Sequence, residues 1–301
     1  MKITSTKKDM YVQVTEEIIE LLENGRTSQI TWTRTGTRMP CNHKTGLPYK
    51  GVNVLLLWAA AMKNSYSTDR WLTYKQTAEM GGQVRKGEKS VACVFFKMIE
   101  REKEKEDKTN IGDEETAETI PVIAPFWLFN LDQIDGIEKP ATPAQLDEFQ
   151  QIEAAENILR QSGAVIREKG DKAFYRLSTD EIHMPARTCF ASEIEFYSVA
   201  LHELTHWTGA KHRLNRDFSG RFGTEAYAFE ELIAELGSAF LNAELGFIAS
   251  MIPNHVGYLE SWLKVLKNDK RAIFTAAAQA SKAHRYIMDL VEGALYERKV
   301  A

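Results

Sequence analysis

The first regular pattern along the chain is helical. Met10, Val14, Ile18, Leu21 and Leu22 recur at three- and four-residue intervals on one face, and Gly25 is placed to end that helix. A stretch punctuated by Gly36, Pro40, Gly46, Pro48 and Gly51 then reads as loop. Residues 52–63 are apolar almost all round, the pattern of a buried helix, and a shorter helix is predicted over 73–80, before Gly81-Gly82. Residues 90–98 and 121–129 are rich in valine and aromatics and read as strands on either side of a charged stretch. Beyond them the period returns to that of a helix. Thr142 and Pro143 suit the cap and first position of one running to about Gly163. Short strands are predicted over 164–167, 173–177 and 180–184. Ser192 and Glu195 form a capping-box pattern that opens a helix through Phe196, Val199, Ala200, Leu201 and Leu204 to Gly209. A second long helix is expected over 224–245, and two more between Pro253 and Arg298.

This succession predicts an α+β protein, a mixed front followed by a helix-rich back. At 301 residues two domains are expected, 1–138 and 139–301, divided where Asp135-Gly136, Pro140 and Pro143 cluster. The 20 residues from Glu100 to Thr119 are dominated by charge, with no aromatic among them, so residues 99–120 are read as a mobile hairpin insertion within the first domain. The longest apolar run, 54–62, falls short of the roughly 20 residues a bilayer needs. The first residues carry charge without an apolar stretch behind it, which predicts no secretory leader. Cys41, Cys93 and Cys189 are odd in number and lack a Cys-x-x-Cys spacing, as in a reducing compartment without disulfides. These features together give a cytoplasmic reading, with no membrane partner.

The net charge of −4 conceals a partition. Residues 1–98 hold 15 basic and 8 acidic side chains, residues 99–120 hold 4 and 9, and the remainder 19 and 25. A basic front joined by an acidic seam to an acidic back points to nucleic acid for the front and to different work for the back.

That work is indicated by His202-Glu203-Leu204-Thr205-His206. An i, i+4 pair puts both imidazoles on one helical face, as two zinc ligands require, and the glutamate beside the first can take a proton from a water that the ion polarises. This is the His-Glu-x-x-His arrangement of metallopeptidases; the alternative is two histidines without a metal. A catalytic ion needs a third ligand. His212 stands at the metzincin spacing, with Gly209 permitting the turn, though no clear Met-turn follows beyond Met251. Alternatively the next long helix supplies it: Glu231 and Glu235 lie one turn apart, so that Glu231 would bind metal while Glu235 orients a ligand histidine, a pattern that resembles gluzincins. Glu231 is the expected ligand, with Glu235 and His212 as alternatives. Glu230, Glu231 and Glu235 would otherwise be a solvated face, but Phe229, Leu232, Ile233, Leu236, Ala239 and Phe240 make the helix largely buried, so its acids need partners. Residues 180–185 read equally as a plain strand or as an edge strand along which a peptide substrate lies. His183 and Tyr227 are both candidates for oxyanion stabilisation, and nothing in the sequence chooses between them.

In the front, cations interleave with aromatics. Arg34, Arg38, Lys44, Tyr49, Lys50, Trp71, Lys75, Arg85 and Lys86 are the candidate nucleic-acid contacts, with Trp32 nearby and Trp58 assigned to the core. Cations tracking phosphates and rings stacking on unpaired bases suit a single strand.

Several segments resemble one family. Pro40-Cys-Asn-His-Lys-Thr-Gly-Leu-Pro-Tyr-Lys-Gly-Val-Asn53, Trp71-Leu-Thr-Tyr-Lys-Gln76, Gly82-Gln-Val-Arg-Lys-Gly-Glu88 and Phe129-Asn-Leu-Asp-Gln133 are similar to the N-terminal domain of ArdC-type antirestriction proteins, shared with TraC-type conjugative primases. His202-Glu-Leu-Thr-His-Trp-Thr-Gly209, Arg213-Leu-Asn-Arg216 and Tyr227-Ala-Phe-Glu-Glu-Leu-Ile-Ala-Glu235 resemble the zincin-like domain of the same proteins. The resemblance implies a plasmid or other mobile-element protein with a single-stranded-DNA-binding front and a metallopeptidase back. It would protect conjugating DNA from host restriction, with Zn2+, or another divalent ion such as Mn2+, as cofactor and a host restriction-related protein as a possible substrate. Two other readings are a non-enzymatic DNA shield with a structural metal and a metal-dependent nuclease.

Overall fold

A computed structural model of the chain describes residues 9–28, 38–101, 118–140, 147–220, 224–247 and 259–300. Helix α1, Met10–Ser28, runs past Gly25. One glycine inside a helix costs only about 1 kcal/mol, too little to end it where Val14, Ile18 and Leu22 are all buried.

The front is built on a four-stranded sheet in the order β1-β2-β5-β4, comprising β1 (Cys41–Asn42), β2 (Arg70–Leu72), β4 (Val91–Arg101) and β5 (Glu118–Asn130). Strands β4 and β5 form a long antiparallel ribbon from Val91↔Leu128 to Arg101↔Glu118. The ribbon therefore takes in both ends of the predicted insertion, whose charged middle lies outside the described residues. Helix α2, Val52–Asn64, packs on this sheet, and the Asn53 amide both donates to and accepts from the Val94 backbone, at 2.8 and 2.9 Å. Helix α3 (Tyr74–Glu79) begins in a reciprocal cap between Thr73 and Gln76, and β3 (Gln83–Val84) pairs with β6 (Ile134–Asp135).

The back opens with α4, Glu148–Ser162, whose cap is Asp147 paired with Gln150. The predicted cap at Thr142-Pro143 lies outside the described residues. Gly163 ends the helix in the left-handed region (φ 73), where glycine carries no Cβ penalty. A three-stranded sheet follows in the order β7-β9-β8, from β7 (Val165–Glu168), β8 (Phe174–Arg176) and β9 (Glu181–Met184). This corrects the edge-strand reading of residues 180–185. β9 is central, parallel to β7 and antiparallel to β8, so its backbone is already paired on both sides. Helices α5 (Glu193–Thr208), α6 (Glu225–Leu245), α7 (Leu259–Asn268) and α8 (Ala272–Val300) complete the chain. At the start of α5 only half the predicted capping box forms: Ser192 accepts from the Glu195 amide, while the Glu195 carboxylate accepts from Ala191.

The core does not divide at residue 138. Val14, Ile18, Val54 and Trp58 from the front share one hydrophobic cluster with Leu232, Phe240, Trp262 and Ile273 from the back. The Trp58 and Phe240 rings meet edge to face at 5.7 Å. Helix α6 belongs to this cluster on one side, and through Leu241 and Leu245 to a second cluster with α4 and α5 on the other.

A core shared in this way should melt as one unit. Calorimetry of the intact chain is expected to show a single transition, and Trp58→Ala, which empties the junction, should cost about 3–5 kcal/mol and lower that one transition. Two resolved transitions, only one of them moved by the substitution, would contradict the shared core.

Candidate metal centre

Helix α5 is buried without interruption from Phe196 to Thr208, so the 3.6-residue turn delivers His202, Glu203 and His206 into the interior, not to a solvated face. Their partners come from α6, which crosses α5 at very close range. A Cβ on Gly237 would lie 2.5 Å from Thr205 Cγ2, and no side-chain-bearing residue fits there. Within the two turns before that crossing, α6 presents Glu230, Glu231 and Glu235, all buried.

His202, His206 and Glu231 converge. Glu231 Oε2 is 3.5 Å from His202 Nε2, and its Oε1 is 3.5 Å from His206 Nε2. One ligand atom from each residue lies within 4.8 Å of the others. Two imidazole nitrogens and a carboxylate aimed at a common point form a donor set suited to a divalent ion. The opposite ring nitrogens are also engaged: His202 Nδ1 faces Glu235 at 3.6 Å and His206 Nδ1 faces Glu230 at 3.0 Å. Glu235 is thus behind a histidine, where an orienting group belongs.

Burial alone would push the His202 imidazolium down, but Glu231 and Glu235 beside it outweigh burial and hold it up at about 10. His206 is held up at about 9 by Glu230 and Glu231 against the same burial. Burial would raise Glu231, yet the two imidazoles keep it far below the carboxylate range.

The cluster opens into a cleft of about 880 Å3 whose walls include Glu203, Tyr227, Phe218, Tyr175, Phe174 and Cys189. Glu203 lines the same cleft as the three donors. Of the two oxyanion candidates, Tyr227 lines the cleft. His183 stacks on Phe174, with ring centroids 4.7 Å apart, and does not line the cleft. His212 is 64% exposed and pairs with Asp180 at 3.4 Å, outside the donor cluster. Gly209, expected to permit a turn, has an ordinary helical φ of −75°. Its lack of a side chain serves another need, since a Cβ there would lie 2.6 Å from the Phe218 ring. Sequence reasoning missed the place of Glu230, held by Arg216. The available signal was a tandem Glu-Glu on a buried helix, where each acid requires its own partner.

The front candidates scatter. Trp71 is 1% exposed and packs with Leu57, Cys93 and Leu128, so it is a core residue and cannot stack on a base. Tyr49 is half-buried, accepts from Asn42 at 3.2 Å, and burial pushes its hydroxyl up to about 12. Lys44 and Lys75 both face Glu79, at 2.6 and 3.8 Å, and Arg85 pairs with Glu88 at 2.9 Å. Lys50 and Lys86 are exposed and Arg38 is half-buried; Arg34 lies outside the described residues. Among the described residues of the front, Tyr74, Phe95, Phe96 and Trp127 are exposed rings, none of them among the candidate contacts. Cys41, Cys93 and Cys189 are free thiols, and among the described residues no helix is long and apolar enough to cross a membrane.

Fold and donor cluster together define a zincin-like protein carrying an α+β front. Residues 153–279 match the zincin-like metallopeptidase family, and residues 8–129 match the N-terminal domain of the anti-restriction factor ArdC. The chain belongs to the ArdC antirestriction family. The metal-free crystal structure of antirestriction protein ArdC from plasmid R388 superposes with a TM-score of 0.78 at 37% identity, over 95% of this chain and 98% of that one. The Mn(II)-bound structure of the same protein gives 0.77 at 38% identity, over 94% and 98%. Protein y4eC of Sinorhizobium fredii is 41% identical over 282 residues, 92% of this chain and 91% of the relative. The DNA primase TraC of Escherichia coli is 38% identical over 309 residues, which span 98% of this chain and 28% of the primase.

The ion pairs set the expected pH behaviour. Both imidazoles are raised above their unfolded value of about 6.5, so in the metal-free chain their contribution to stability is complete below that pH and is lost as pH rises through about 9 to 10. A metal must displace the same protons, so its affinity should rise with pH up to that range. Calorimetric titration with Zn2+ at pH 7, in buffers of different ionisation enthalpy, is expected to show release of about one to two protons per ion. Release of none would contradict the arrangement.

Proposed function

We propose that this chain binds single-stranded DNA through its front and is a divalent-metal-dependent peptidase at the α5–α6 cleft, and that it protects conjugating DNA from restriction in the cytoplasm of the recipient cell. The observation that carries the peptidase reading is the convergence of His202 Nε2, His206 Nε2 and Glu231 beside Glu203 on an open cleft. A bound Zn2+ or Mn2+ would supply Lewis acidity to a water and to a substrate carbonyl. Glu203 would accept the proton of the attacking water and return it to the leaving amine. Tyr227 is available on the cleft wall to donate to the developing oxyanion. Among the described residues β8 is the outer strand of its sheet, with Phe174 and Tyr175 on the cleft, so an extended peptide would find backbone groups to pair with there. The same lining carries Glu195, Asp217 and Asp171 against one lysine, Lys172, a balance that disfavours a phosphodiester backbone and hence the nuclease reading.

For the front, the support is the juxtaposition of basic composition with exposed rings. Trp127 is 54% exposed and Tyr74 57%, and Lys75, beside Tyr74, is almost fully exposed. The likeness to TraC, a DNA primase, points the same way.

Glu203→Gln keeps the ligands and removes the base. It is expected to bind Zn2+ like the unmodified chain while losing peptide cleavage by at least about 100-fold. Retained protection from restriction in that variant would favour the non-enzymatic shield. In a separate test, Tyr74→Ala and Trp127→Ala should each weaken binding of a labelled oligothymidylate, by about 1–3 kcal/mol for a stacked base. Affinity should also fall steeply with salt. Unchanged affinity in both variants would remove these rings from the interface.

A further inference from the structure

Arg216 sits in the connection between α5 and α6, and its side chain is only 3% exposed. Its guanidinium grips Glu230 with two groups, Nε to Oε2 at 3.0 Å and Nη2 to Oε1 at 2.9 Å. The remaining donors turn to the last turn of α5. Nη1 reaches Thr208 Oγ1 at 2.8 Å, and Nη2 reaches the carbonyl oxygens of Thr205 at 2.6 Å and His206 at 3.4 Å. One planar group therefore ties the end of the histidine-bearing helix to an acid on the facing helix. Glu230 Oε1, held there, lies 3.0 Å from His206 Nδ1. Space has been cleared for this contact, because a Cβ on Gly209 would stand 2.8 Å from Arg216 Nη2.

Withdrawing an arginine from water costs several kcal/mol unless its donors are satisfied. The carbonyl contacts make the guanidinium a cap for the end of α5, and the grip on Glu230 goes beyond that capping. Its consequence lies one residue further on. A neutral imidazole has one donor and one acceptor nitrogen, and which is which depends on what its second nitrogen meets. We propose that Arg216 is a positioning residue for the metal centre. By clamping Glu230, it keeps the His206 proton on Nδ1 and aims Nε2 at the point that His202 and Glu231 also face. Arg216 does not line the cleft and is not a ligand. It also anchors the connection whose Phe218 ring stands 6.5 Å from His206, so the wall of the cleft and the ligand share one support. This role rests on the metal-binding reading above. It assigns Glu230 to His206 as Glu235 is assigned to His202.

The test compares the intact chain with Arg216→Lys, Arg216→Met and Glu230→Gln. Zn2+ affinity is measured by competition with a chelator, and the visible spectrum of the Co2+-loaded chain reports ligand geometry. Arg216→Met is expected to lower Zn2+ affinity about 10- to 100-fold and to shift the Co2+ band. Arg216→Lys, which keeps the charge but not the two-pronged grip, should fall between. Glu230→Gln should weaken binding as well, and adding Arg216→Met to it should cost little more, since the two act through one contact. If Arg216→Met does not fold, the lysine and glutamine variants decide the question. Variants with lower melting temperatures but unchanged Zn2+ affinity and Co2+ spectra would show a purely structural role and overturn the proposal. Failure of the unmodified chain to bind Zn2+ or Co2+ would overturn the metal site itself.

Discussion

The close crossing of α5 and α6 is the constraint on which the rest of the molecule depends. At Gly237 the backbone of α6 comes within van der Waals reach of Thr205, whose hydroxyl is turned back to the Leu201 carbonyl at 2.9 Å. Only at this separation can acids on one helix meet imidazoles on the other without a water layer between them. The crossing is held by apolar packing on both sides, because α6 is buried round almost its whole circumference and belongs to both large clusters. The polar centre does not hold the helices together. It is tolerated because they are held, and Glu230, Glu231 and Glu235 each face an imidazole.

The same helix joins the front of the chain to the back. Helix α1 at the N-terminal end and helices α7 and α8 at the C-terminal end close over α6 with α2. The two family matches cover residues 8–129 and 153–279, but the hydrophobic surface of the front is completed by Leu232, Phe240, Trp262 and Ile273 from the back. The charge partition survives this merging. The front is basic in sequence, and acids outnumber lysines in the lining of the cleft.

Much of this was legible beforehand. The apolar pattern located α2, α5 and α6, the cap at Ser192 was in the sequence, and α7 and α8 answer to the two helices expected after Pro253. The i, i+4 histidines required no tertiary information, because a helix fixes their relation by itself. Misreadings fell where local signals have several outcomes. Gly25 carried a stop signal that burial of its helix overrode. Trp71 had the composition of a base-stacking residue, yet strand β2 lies between β1 and β5 and turns the ring inward. Residues 180–185 were a strand, as expected, but only pairing with both β7 and β8 shows that they are not an edge.

The sequence by itself determined the helices, the facing pair of histidines with a glutamate between them, and the presence of acids on a helix too apolar to leave them in water. These are properties of one element at a time, set by backbone geometry and side-chain chemistry. Only the tertiary structure decided which acid meets both imidazoles, that Glu230 and Glu235 stand behind them, that His212 stays outside, and that Arg216 reaches back to join the two helices. Those choices depend on where two helices cross and on how closely, and at Gly237 that distance is set by the absence of a side chain.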